Sequence, residues 1–549
     1  MNWLRARVTC RSPVAFALAI SFIIVALYNW RFWNEAIATV PLTSVNNVLF
    51  VVSLFLIVLF IHAAVLLVVP GKKTLRIVAV FFFFMAAAAA YFIDTYGVIF
   101  GRDMIRNLLE TDTQEATALV TVRFALYVFA LGALPAFLIF LIRLPTVGIK
   151  QEMLQRLTFV LGGLAVVILL MFTFSAHYAS FLREHKAVRS RLNPGYALFE
   201  AAKYFHSTRS NAEASYITDA SAAMRSRSGA GGVKPLLVFL NIGETARGRN
   251  FQLGEYARAT NPELSRLDSV YYFTNTFSCG TSTAISVPCL FSHQGRRIFD
   301  VSTAKHKSNL LDALSAAGVA VEWRDNNSGS KGVAIRIKTI NYAAHSDSVL
   351  CKYGKCFDEI MLSGLSEAMR NIKQNTVIVF HQIGSHGPTY WQRYPERFEV
   401  FTPACHTGEL AACSRESIVN AYDNSIVYTD HVLAEQIRLL KAVSEQIDSL
   451  LIYVSDHGES LGEKGLYLHG APYAIAPDEQ TRVPLILWMS DGYRKRFSID
   501  DDCLRAQRSK NLSHDNIYHT VTGALALTND VYNEGLDILA PCISQHRSM

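Results

Sequence analysis

The stretch LLIYVSDHGESLGEKGLYLHG, Leu450–Gly470, joins an apolar run to a group of side chains that can bind a metal. Its first five residues are continuously apolar, which is typical of a strand buried on both faces of a largely parallel sheet. Asp456 and His457 follow the run directly, and Glu459 and His469 come later among glycines. Zn²⁺ takes histidine nitrogen and carboxylate oxygen, so the stretch predicts a metal site at the end of a buried strand. The alternative is a surface loop that carries these residues by chance.

Three further apolar runs have the same character, and helical patterns lie between them. Alternating strands and helices predict an α/β sandwich. Glu244 and His381 follow two of these runs. Because ligands bind beyond the carboxyl ends of strands in such sheets, we expect polar side chains from several strands to meet at one edge. The further runs are Leu236–Ile242, Thr376–Phe380 and Val483–Trp488, and the helical patterns are Ser308–Ala317 and Ile418–Val443.

The first third of the chain has a different composition. Hydrophobic residues make up 51% of the 549 residues and charged residues only 18%, and nearly all of the excess lies before residue 175. A bilayer-spanning helix needs about 20 apolar residues. Aromatic residues follow the first run where a signal peptide would have a cleavage site, so we interpret all of the runs as membrane spans. The predicted spans are Val14–Trp30, Val48–Val69, Ile77–Ile93, Phe124–Ile142 and Leu157–Phe174.

Basic residues between the spans predict their orientation, because loops rich in Lys and Arg stay inside. Five spans with an inside N-terminus then place everything after about residue 175 outside. We expect a five-span transmembrane domain over residues 1–175 with an outer loop over 94–118 that carries a short surface helix. Interfacial helices and a linker follow over 176–234, and a catalytic α/β domain over 235–549. The basic residues are Arg5, Arg7, Arg11, Lys72, Lys73, Arg76, Arg143, Lys150 and Arg156.

The cysteines point to the same outer compartment. Eight of the nine lie after residue 275, and six of them form three close pairs, which is typical of disulfides in an oxidising environment. No CxxC spacing is present, which disfavours a structural zinc cluster. The close pairs are Cys279 with Cys289, Cys351 with Cys356, and Cys405 with Cys413, while a pairing of Cys503 with Cys542 is left open.

The net charge of +7 comes without a basic run interleaved with aromatics, so nucleic-acid binding has little support.

Two further segments carry candidate chemistry. TFSCGTSTAISVPCLFS, Thr276–Ser292, concentrates hydroxyl residues before a helix start, which suits anion binding or a nucleophile. A capped helix held by a disulfide is the alternative. HQIGSHGPTYWQRYP, His381–Pro395, places His386 between glycines, where it could bind phosphate, protonate a leaving group, or only form a turn.

Six motifs in order resemble the membrane phosphoethanolamine transferases of Gram-negative bacteria, a family that includes the mobile colistin-resistance enzymes. The resemblance covers essentially the whole chain and implies membership of the alkaline phosphatase and sulfatase superfamily. The motifs are NIGETARGRNFQLGEYARATNPELS (241–265), SCGTSTAISVPC (278–289), WRDNNSGSKG (323–332), HQIGSHGPTYWQRYP (381–395), SDHGESLGEKGLYLHGAPY (455–473) and SHDNIYHT (513–520).

The resemblance implies a role for individual residues. Zinc ligands are Glu244, Thr283, Asp456 and His457, and Thr283 is also the nucleophile, with Thr281 as its competitor. His386 and His469 are implied to protonate the leaving group, and a second zinc held partly by them is left open. The implied substrate-binding residues are Asn107, Thr111, Glu115, Asn327, Ser328, Lys331 and Arg393.

The implied reaction is a two-step transfer. Zinc makes a threonine alkoxide accessible and polarises the phosphoryl oxygen. Attack on phosphatidylethanolamine releases diacylglycerol and leaves a phosphothreonine-type intermediate, from which lipid A takes the group. We expect a monomer in the Gram-negative inner membrane, in contact with membrane lipids, that confers resistance to cationic peptides such as polymyxins.

Rival interpretations keep or change the chemistry. The same chemistry could serve another acceptor: a core heptose, Kdo, a membrane-derived glucan or a protein. A sulfatase or phosphodiesterase is disfavoured because no CxPxR-type motif surrounds Cys279. A lipid-binding protein with a decayed site is disfavoured by the intact set of ligands.

Overall fold

The computed structural model describes residues 9–68, 70–110, 117, 119–145, 148–211, 218, 223–226, 234–342, 345, 347, 349–352 and 354–543. The chain divides into two compact units. Unit 1 consists of Met1–Ile105 and Leu119–Lys203, and unit 2 of Arg106–Ala118 and Tyr204–Met549.

Unit 1 is helical. Four of its helices are long and apolar enough to cross a membrane, and a bent pair supplies a fifth span if the pair counts as one. The helices are α1 Pro13–Leu27, α2 Trp30–Thr39, α3 Val45–Leu66, α4 Lys72–Tyr96, α5 Arg102–Glu110, α6 Val122–Leu141, α7 Ile149–Thr173, α8 Ser175–Glu184, α9 Lys186–Arg189 and α10 Gly195–Asn211; α5 and α10 continue into unit 2.

The first predicted span differs from the observed helices. We predicted one span over Val14–Trp30, whereas α1 ends at Leu27 and α2 continues at an angle of 65°. The side-chain amide of Asn29 donates to Ile24 O at 3.0 Å and to Asn193 O at 2.9 Å. The Asn29 side chain therefore ties the end of α1 to the carbonyl of Asn193 at the point where the helix bends.

Helix α6 contains a π-helical turn at Phe129–Ala133 just before a proline. Pro135 has no N–H, so it cannot bond the carbonyl four residues earlier, at Leu131. The Tyr28 hydroxyl donates to that oxygen at 2.5 Å. A polar side chain from α1 therefore satisfies the carbonyl that the proline frees, as a membrane span requires.

The predicted outer loop does contain a short helix, α5. Helix α4 continues to Tyr96, so the polar connector is shorter than the predicted range 94–118. Two of the predicted substrate-binding residues, Thr111 and Glu115, lie outside the described residues, as does most of the predicted linker Ser226–Lys234.

Unit 2 is built on an eight-stranded sheet with the order β8-β2-β7-β6-β1-β5-β3-β4. All strands run parallel except β7, which is antiparallel to both of its neighbours. The four predicted strands are confirmed, and the run at Val483–Trp488 is the antiparallel one. The strands are β1 Leu236–Gly243, β2 Val270–Phe277, β3 Ala320–Asp325, β4 Lys338–Asn341, β5 Thr376–His381, β6 Asp448–Ser455, β7 Arg482–Met489 and β8 Leu512–Ser513.

Helices flank the sheet, as expected for an α/β sandwich. Strands β1, β5 and β6 are buried along their whole length, which requires cover on both faces. The helices of unit 2 are α11 Thr283–Leu290, α12 Val301–Ala304, α13 Leu310–Ala316, α14 Leu365–Arg370, α15 Arg415–Ala442, α16 Asp478–Thr481, α17 Asp491–Arg496, α18 Asp501–Ala506 and α19 Asp515–Ala524.

Two of these helices test the predicted helical patterns. Helix α13 begins after Asn309, which forms a capping box with Asp312, rather than at Ser308. Helix α15 begins at Arg415, earlier than the predicted Ile418, because Ser414 caps it through the Ser417 N–H.

Four disulfides form in unit 2. The three predicted pairs are present, and Cys503 pairs with Cys542, which the sequence left open. The disulfide between Cys279 and Cys289 joins the loop before α11 to the end of that helix.

Candidate active site

The candidate site lies beyond the carboxyl edge of the sheet. Glu244 follows β1, Asp456 and His457 follow β6, Asn327 lies two residues after β3, and Thr283 comes six residues after β2. Parallel strands end at the same edge, so these side chains, far apart in sequence, arrive at one place.

Glu244, Asp456 and His457 form a buried cluster, with their ligand atoms within 4.8 Å of one another. His457 Nε2 lies 3.4 Å from Glu244 Oε1 and 3.3 Å from Asp456 Oδ2. Thr283 Oγ1 completes the group, at 3.1 Å from Glu244 Oε2 and 3.4 Å from His457 Nε2. The structure therefore brings the four predicted ligands together.

The protonation of this cluster follows from its hydrogen bonds. His457 Nδ1 lies 2.9 Å from Gly458 O, and a carbonyl only accepts, so Nδ1 carries the proton and the Nε2 lone pair faces the cluster. Burial, together with the neighbouring His469, lowers the pKa of His457 well below its usual value and keeps the ring neutral. Burial raises the pKa of Asp456. Its Oδ1 accepts the backbone N–H groups of Thr245 and His457.

The donor set fits a zinc ion. Two carboxylates, a neutral imidazole nitrogen and a hydroxyl oxygen are groups that Zn²⁺ coordinates, and four of them match its usual coordination number. Burying two carboxylates side by side is costly in the absence of a cation, because each loses its hydration and repels the other. A divalent cation would remove both costs.

Thr283 is the first residue of α11, and only 6% of its surface is exposed. The N-terminus of a helix presents free N–H groups and a partial positive charge, which stabilise an anion bound there. The competing hydroxyl, Thr281 Oγ1, donates instead to Ala471 O at 2.6 Å. The geometry thus separates two threonines that the sequence left close together.

Three polar residues lead away from the cluster toward solvent, and we call them the polar arm: Asn327, Ser328 and Lys331. Asn327 Nδ2 donates to Glu244 Oε2 at 2.8 Å, and Asn327 Oδ1 accepts the N–H and the hydroxyl of Ser328. Lys331 Nζ lies 3.2 Å from Ser328 O and 3.5 Å from Glu110 O. Hydrogen bonds therefore link these three predicted substrate-binding residues to Glu244, which itself contacts Thr283. Asn107 is half-buried on α5, three residues before Glu110.

The two predicted acid residues, His386 and His469, stand beside the cluster. Their ring centroids lie 5.4 Å apart, and the ring of His469 lies 4.5 Å from that of His457. Arg393 is buried and donates to His386 O at 2.7 Å and to Thr389 Oγ1 at 3.2 Å. Arg393 therefore holds the loop that carries His386.

His381, which the sequence placed among the residues at this edge, makes a different contact. Its Nδ1 lies 2.8 Å from Asp325 Oδ1, and its ring packs against Trp323. It braces β5 against β3 and is not among the four ligand residues.

Two residues have structural roles that the sequence did not predict, although Glu459 was counted there with the candidate metal-binding group. Glu459 is buried, with Oε2 2.8 Å from His469 Nδ1 and Oε1 accepting from the Tyr390 hydroxyl at 2.8 Å. His514 accepts the N–H of Cys279 at Nδ1 and bonds Ser455 O through Nε2. Both lie within motifs that the sequence singled out, but contacts between distant segments determine their roles.

His514 connects two strands that are not neighbours. Cys279 lies in the loop after β2, and Ser455 is the last residue of β6 before Asp456. The antiparallel β7 separates these strands, so the ring of His514 bridges the nucleophile loop and the ligand loop across it. Burial lowers the pKa of His514 to about 4, so the bridging ring is neutral.

Gly384 permits a close approach at the ligand Glu244. Its φ is +49°, and a Cβ atom there would lie 2.7 Å from Glu244 O. The Ser385 N–H donates to the same oxygen at 3.0 Å. A side chain at position 384 would push the loop away from the backbone of Glu244.

Two family models match the chain. The model described as "Sulfatase" matches residues 237–527, more than half of the chain, and the model described as "Phosphoethanolamine transferase EptA/EptB" matches residues 54–209.

Individual relatives match over both units. A phosphoethanolamine transferase EptA from Salmonella typhimurium is 38% identical over 531 residues, 96% of this chain and 97% of that protein. The phosphatidylethanolamine transferase Mcr-1 from Escherichia coli is 38% identical over 88% of this chain and 91% of its own length. Among solved structures, the integral membrane lipooligosaccharide phosphoethanolamine transferase A from Neisseria meningitidis superposes with a TM-score of 0.92 at 32% identity, covering 98% of this chain and 99% of that one.

Proposed function

The chain belongs to the phosphoethanolamine transferase family and is a multi-pass inner-membrane enzyme with a periplasmic catalytic domain. We propose that it transfers phosphoethanolamine from phosphatidylethanolamine to a lipid A phosphate, with Thr283 as the nucleophile. One observation carries the proposal. The Thr283 hydroxyl lies at a helix N-terminus, within 3.4 Å of Glu244 and His457, in a buried site that also contains Asp456.

Glu244, Asp456, His457 and Thr283 would hold one zinc ion. When bound, zinc lowers the pKa of a hydroxyl and polarises a phosphoryl oxygen. His457 is ready as a ligand, because the carbonyl of Gly458 fixes the tautomer that leaves Nε2 unprotonated.

In the first step, Thr283 Oγ1 attacks the phosphorus of phosphatidylethanolamine. The new bond joins Oγ1 to phosphorus, and the bond between phosphorus and the diacylglycerol oxygen breaks. The hydroxyl proton passes to Glu244 Oε2, 3.1 Å away, as the new bond forms, and the same hydrogen bond orients the oxygen for attack. Diacylglycerol leaves, and phosphoethanolamine remains esterified to Thr283.

The departing diacylglycerol oxygen needs a proton, and His469 is placed to give it. Glu459 accepts from His469 Nδ1 at 2.8 Å and holds the ring in place beside the cluster. His386 stands beside the same ring and is the second candidate acid. A second zinc ion held partly by these two rings is the alternative role for the pair.

In the second step, an acceptor phosphate oxygen attacks the same phosphorus, the bond between phosphorus and Thr283 Oγ1 breaks, and Oγ1 takes back its proton from Glu244 Oε2. His469 takes back a proton from the acceptor, and the product is a phosphoethanolamine diphosphate linkage on the lipid. Asn327, Ser328 and Lys331 line the approach, and Lys331 supplies positive charge for the phosphates. Asn107, Thr111 and Glu115 are proposed to contact the lipid, and Arg393 to act indirectly by holding His386.

Lipid A is the acceptor that the chain's relatives favour. A relative from Escherichia coli that is 27% identical over 475 residues is named a Kdo(2)-lipid A phosphoethanolamine 7''-transferase. Adding an ethanolamine ammonium offsets the negative charge of lipid A, so cationic peptides such as polymyxins should bind it less well. We propose that the enzyme works as a monomer among membrane lipids.

Mass spectrometry of lipid A from cells that express the wild type or Thr283→Ala tests the proposal. We expect one added phosphoethanolamine with the wild type and none with the variant. If the enzyme consumes fluorescent phosphatidylethanolamine while lipid A stays unmodified, the acceptor is a core heptose, Kdo or a membrane-derived glucan instead. Equal modification by both proteins would refute the nucleophile.

A further inference from the structure

A cationic cavity lies behind the polar arm of the active site. It is a narrow, partly open crevice with a volume of about 20 Å³. Residues from α11, from the loops on either side of α12 and from the loop after Lys331 form its walls. The charged and polar residues that line it include His293, Lys305, Lys307, Asn309 and Lys331.

The charge of this cavity is one-sided. Three lysines line it, and none of the wall residues within the described part of the chain is a carboxylate. Lys305 Nζ pairs with Glu110 Oε1 at 3.0 Å, outside the lining, and Lys307 has no carboxylate partner among the described residues. Ammonium groups that face one space repel each other, so an anion placed between them is stabilised.

The cavity is connected to the nucleophile in two ways. Lys331 lines it and also touches Ser328, from which hydrogen bonds lead through Asn327 to Glu244. Pro288, another wall residue, lies five positions after Thr283 on the same helix, a rise of roughly 8 Å. The wall of the cavity at Pro288 therefore lies about one and a half helical turns from the nucleophile.

An apolar surface lies beside the same cavity. Leu108 and Leu109 are 56% and 52% exposed, and they directly precede Glu110, whose carboxylate pairs with Lys305. Exposed leucines next to a cationic cavity suit an amphipathic ligand with an anionic headgroup.

The donor does not match this cavity. Phosphatidylethanolamine has one phosphate, which must be at Thr283 to react, and its other headgroup charge is a cation that the lysines repel. The acceptor in the proposed reaction has one phosphate that attacks and a second phosphate elsewhere. Resting on the proposed function, we infer that Lys305, Lys307 and Lys331 form a subsite for the second, non-reacting phosphate of a bis-phosphorylated lipid acceptor.

Purified full-length enzyme distinguishes this inference from its alternatives. The kcat/KM for phosphoethanolamine transfer is measured on bis-phosphorylated lipid A and on lipid A that has lost one phosphate. The wild type favours the bis-phosphorylated lipid. Lys307→Gln reduces that preference about fivefold to tenfold, the effect of one ammonium–phosphate contact at a half-buried position. Lys305→Gln gives a second, independent reduction.

The matched control is Lys495→Gln, which removes the same charge from an exposed position on α17. It keeps the wild-type preference. The inference is overturned if Lys307→Gln and Lys305→Gln lower transfer to both lipids equally, or if Lys495→Gln reduces the preference as much. If the wild type modifies neither lipid, the proposed function fails and the subsite fails with it.

Discussion

Among the residues of unit 2 that the structure describes, two groups of His and carboxylate side chains could each hold a cation. The catalytic cluster is Glu244, Asp456 and His457, and the surface cluster is Glu263, His431 and Glu435. In both, one ligand atom per residue lies within 4.8 Å of the others. Composition and distance alone do not separate them.

Burial and charge compensation do separate them. The catalytic cluster is at most 1% exposed, whereas all members of the surface cluster are partly exposed. Arg438 donates to Glu263 at 2.5 Å and pairs with Glu435, and His431 Nδ1 lies 2.7 Å from Glu263. Partial burial opposes ionisation of Glu263, but the bonds from Arg438 and His431 outweigh it and lower its pKa.

The comparison shows what makes such a group a metal site. In the surface cluster a permanent cation already balances the carboxylates, so a metal ion would have to displace an arginine. In the catalytic cluster burial raises the pKa of Asp456, and the carboxylates lie beside a neutral imidazole, a hydroxyl and an amide. Zinc gains most where carboxylates are buried and uncompensated.

The largest expected effect separates the two clusters directly. Asp456→Asn removes a proposed ligand and should lower transfer by at least about a thousandfold and the bound zinc to background. Glu435→Gln, the same kind of change in the surface cluster, should keep both. Elemental analysis and transferase assays measure the two quantities. Zinc retained in Asp456→Asn, or lost in Glu435→Gln, would show that the catalytic cluster is not the zinc site.

Metal removal is expected to act through the catalytic cluster alone. A strong chelator should abolish transfer, and added zinc should restore it. Because the metal binds only the folded protein, its removal should also lower the melting temperature, with a free-energy cost of about 3 kcal/mol at a hundredfold excess over Kd. In Asp456→Asn the chelator should leave the melting temperature unchanged. An equal shift there would place the stabilising metal elsewhere.

A smaller effect is expected at His514, whose ring bridges the nucleophile loop and the ligand loop. His514→Gln should lower kcat about tenfold to a hundredfold, the range for residues that orient metal ligands, while zinc remains bound. His519 is the matched control, since it lies on α19, the helix that begins directly after His514, is buried, and accepts the Asn533 N–H away from the site.

His519→Gln should lower the melting temperature without a matching loss of kcat. Equal loss of kcat in both variants would reduce His514 to a purely structural residue. Rescue of His514→Gln by added zinc would also contradict the positioning role, because the expected defect lies in geometry and not in metal affinity.

The smallest effect is a pH dependence beside the surface cluster. Asp430 accepts the N–H groups of Glu263 and Leu264, and burial raises its pKa to about 7. The folded state then holds the proton more tightly than the unfolded chain, so this contribution is present below pH about 4 and is lost as pH rises through about 7. Asp430→Asn should therefore flatten the fall in melting temperature between pH 5 and 8, by a few degrees.

Melting curves of purified protein at a series of pH values measure this change. Asp530→Asn, at an exposed position paired with Arg225, should keep the wild-type profile. An unchanged profile in Asp430→Asn would mean that this carboxyl is ionised throughout the range, stabilised by its two N–H donors.

Much of the architecture could be predicted from sequence because its signals are local. Continuous apolar runs identified β1, β5, β6 and β7, and span length and basic loops identified the membrane helices. The bend after Leu27 was missed, since it depends on Asn29 meeting Asn193. The antiparallel direction of β7 was missed as well, because direction depends on connections and not on composition.

The site shows the same division. Strand ends predicted that Glu244, Asp456 and His457 would meet, and the family motif selected Thr283. The sequence could not separate Thr283 from Thr281 on physical grounds, because the difference is a hydrogen bond to Ala471, 190 residues away. The roles of His514 and Glu459 were missed for the same reason: each depends on partners that only the folded chain brings near.

The central claim is that Thr283 becomes covalently loaded by the donor alone. Purified enzyme is mixed with phosphatidylethanolamine in the absence of acceptor, quenched in denaturant, digested and examined by fragment-ion mass spectrometry. We expect a phosphoethanolamine ester on Thr283 that disappears when lipid A is added before the quench. An ester on Thr281, or full transfer activity with no ester on the chain at any time, would contradict it.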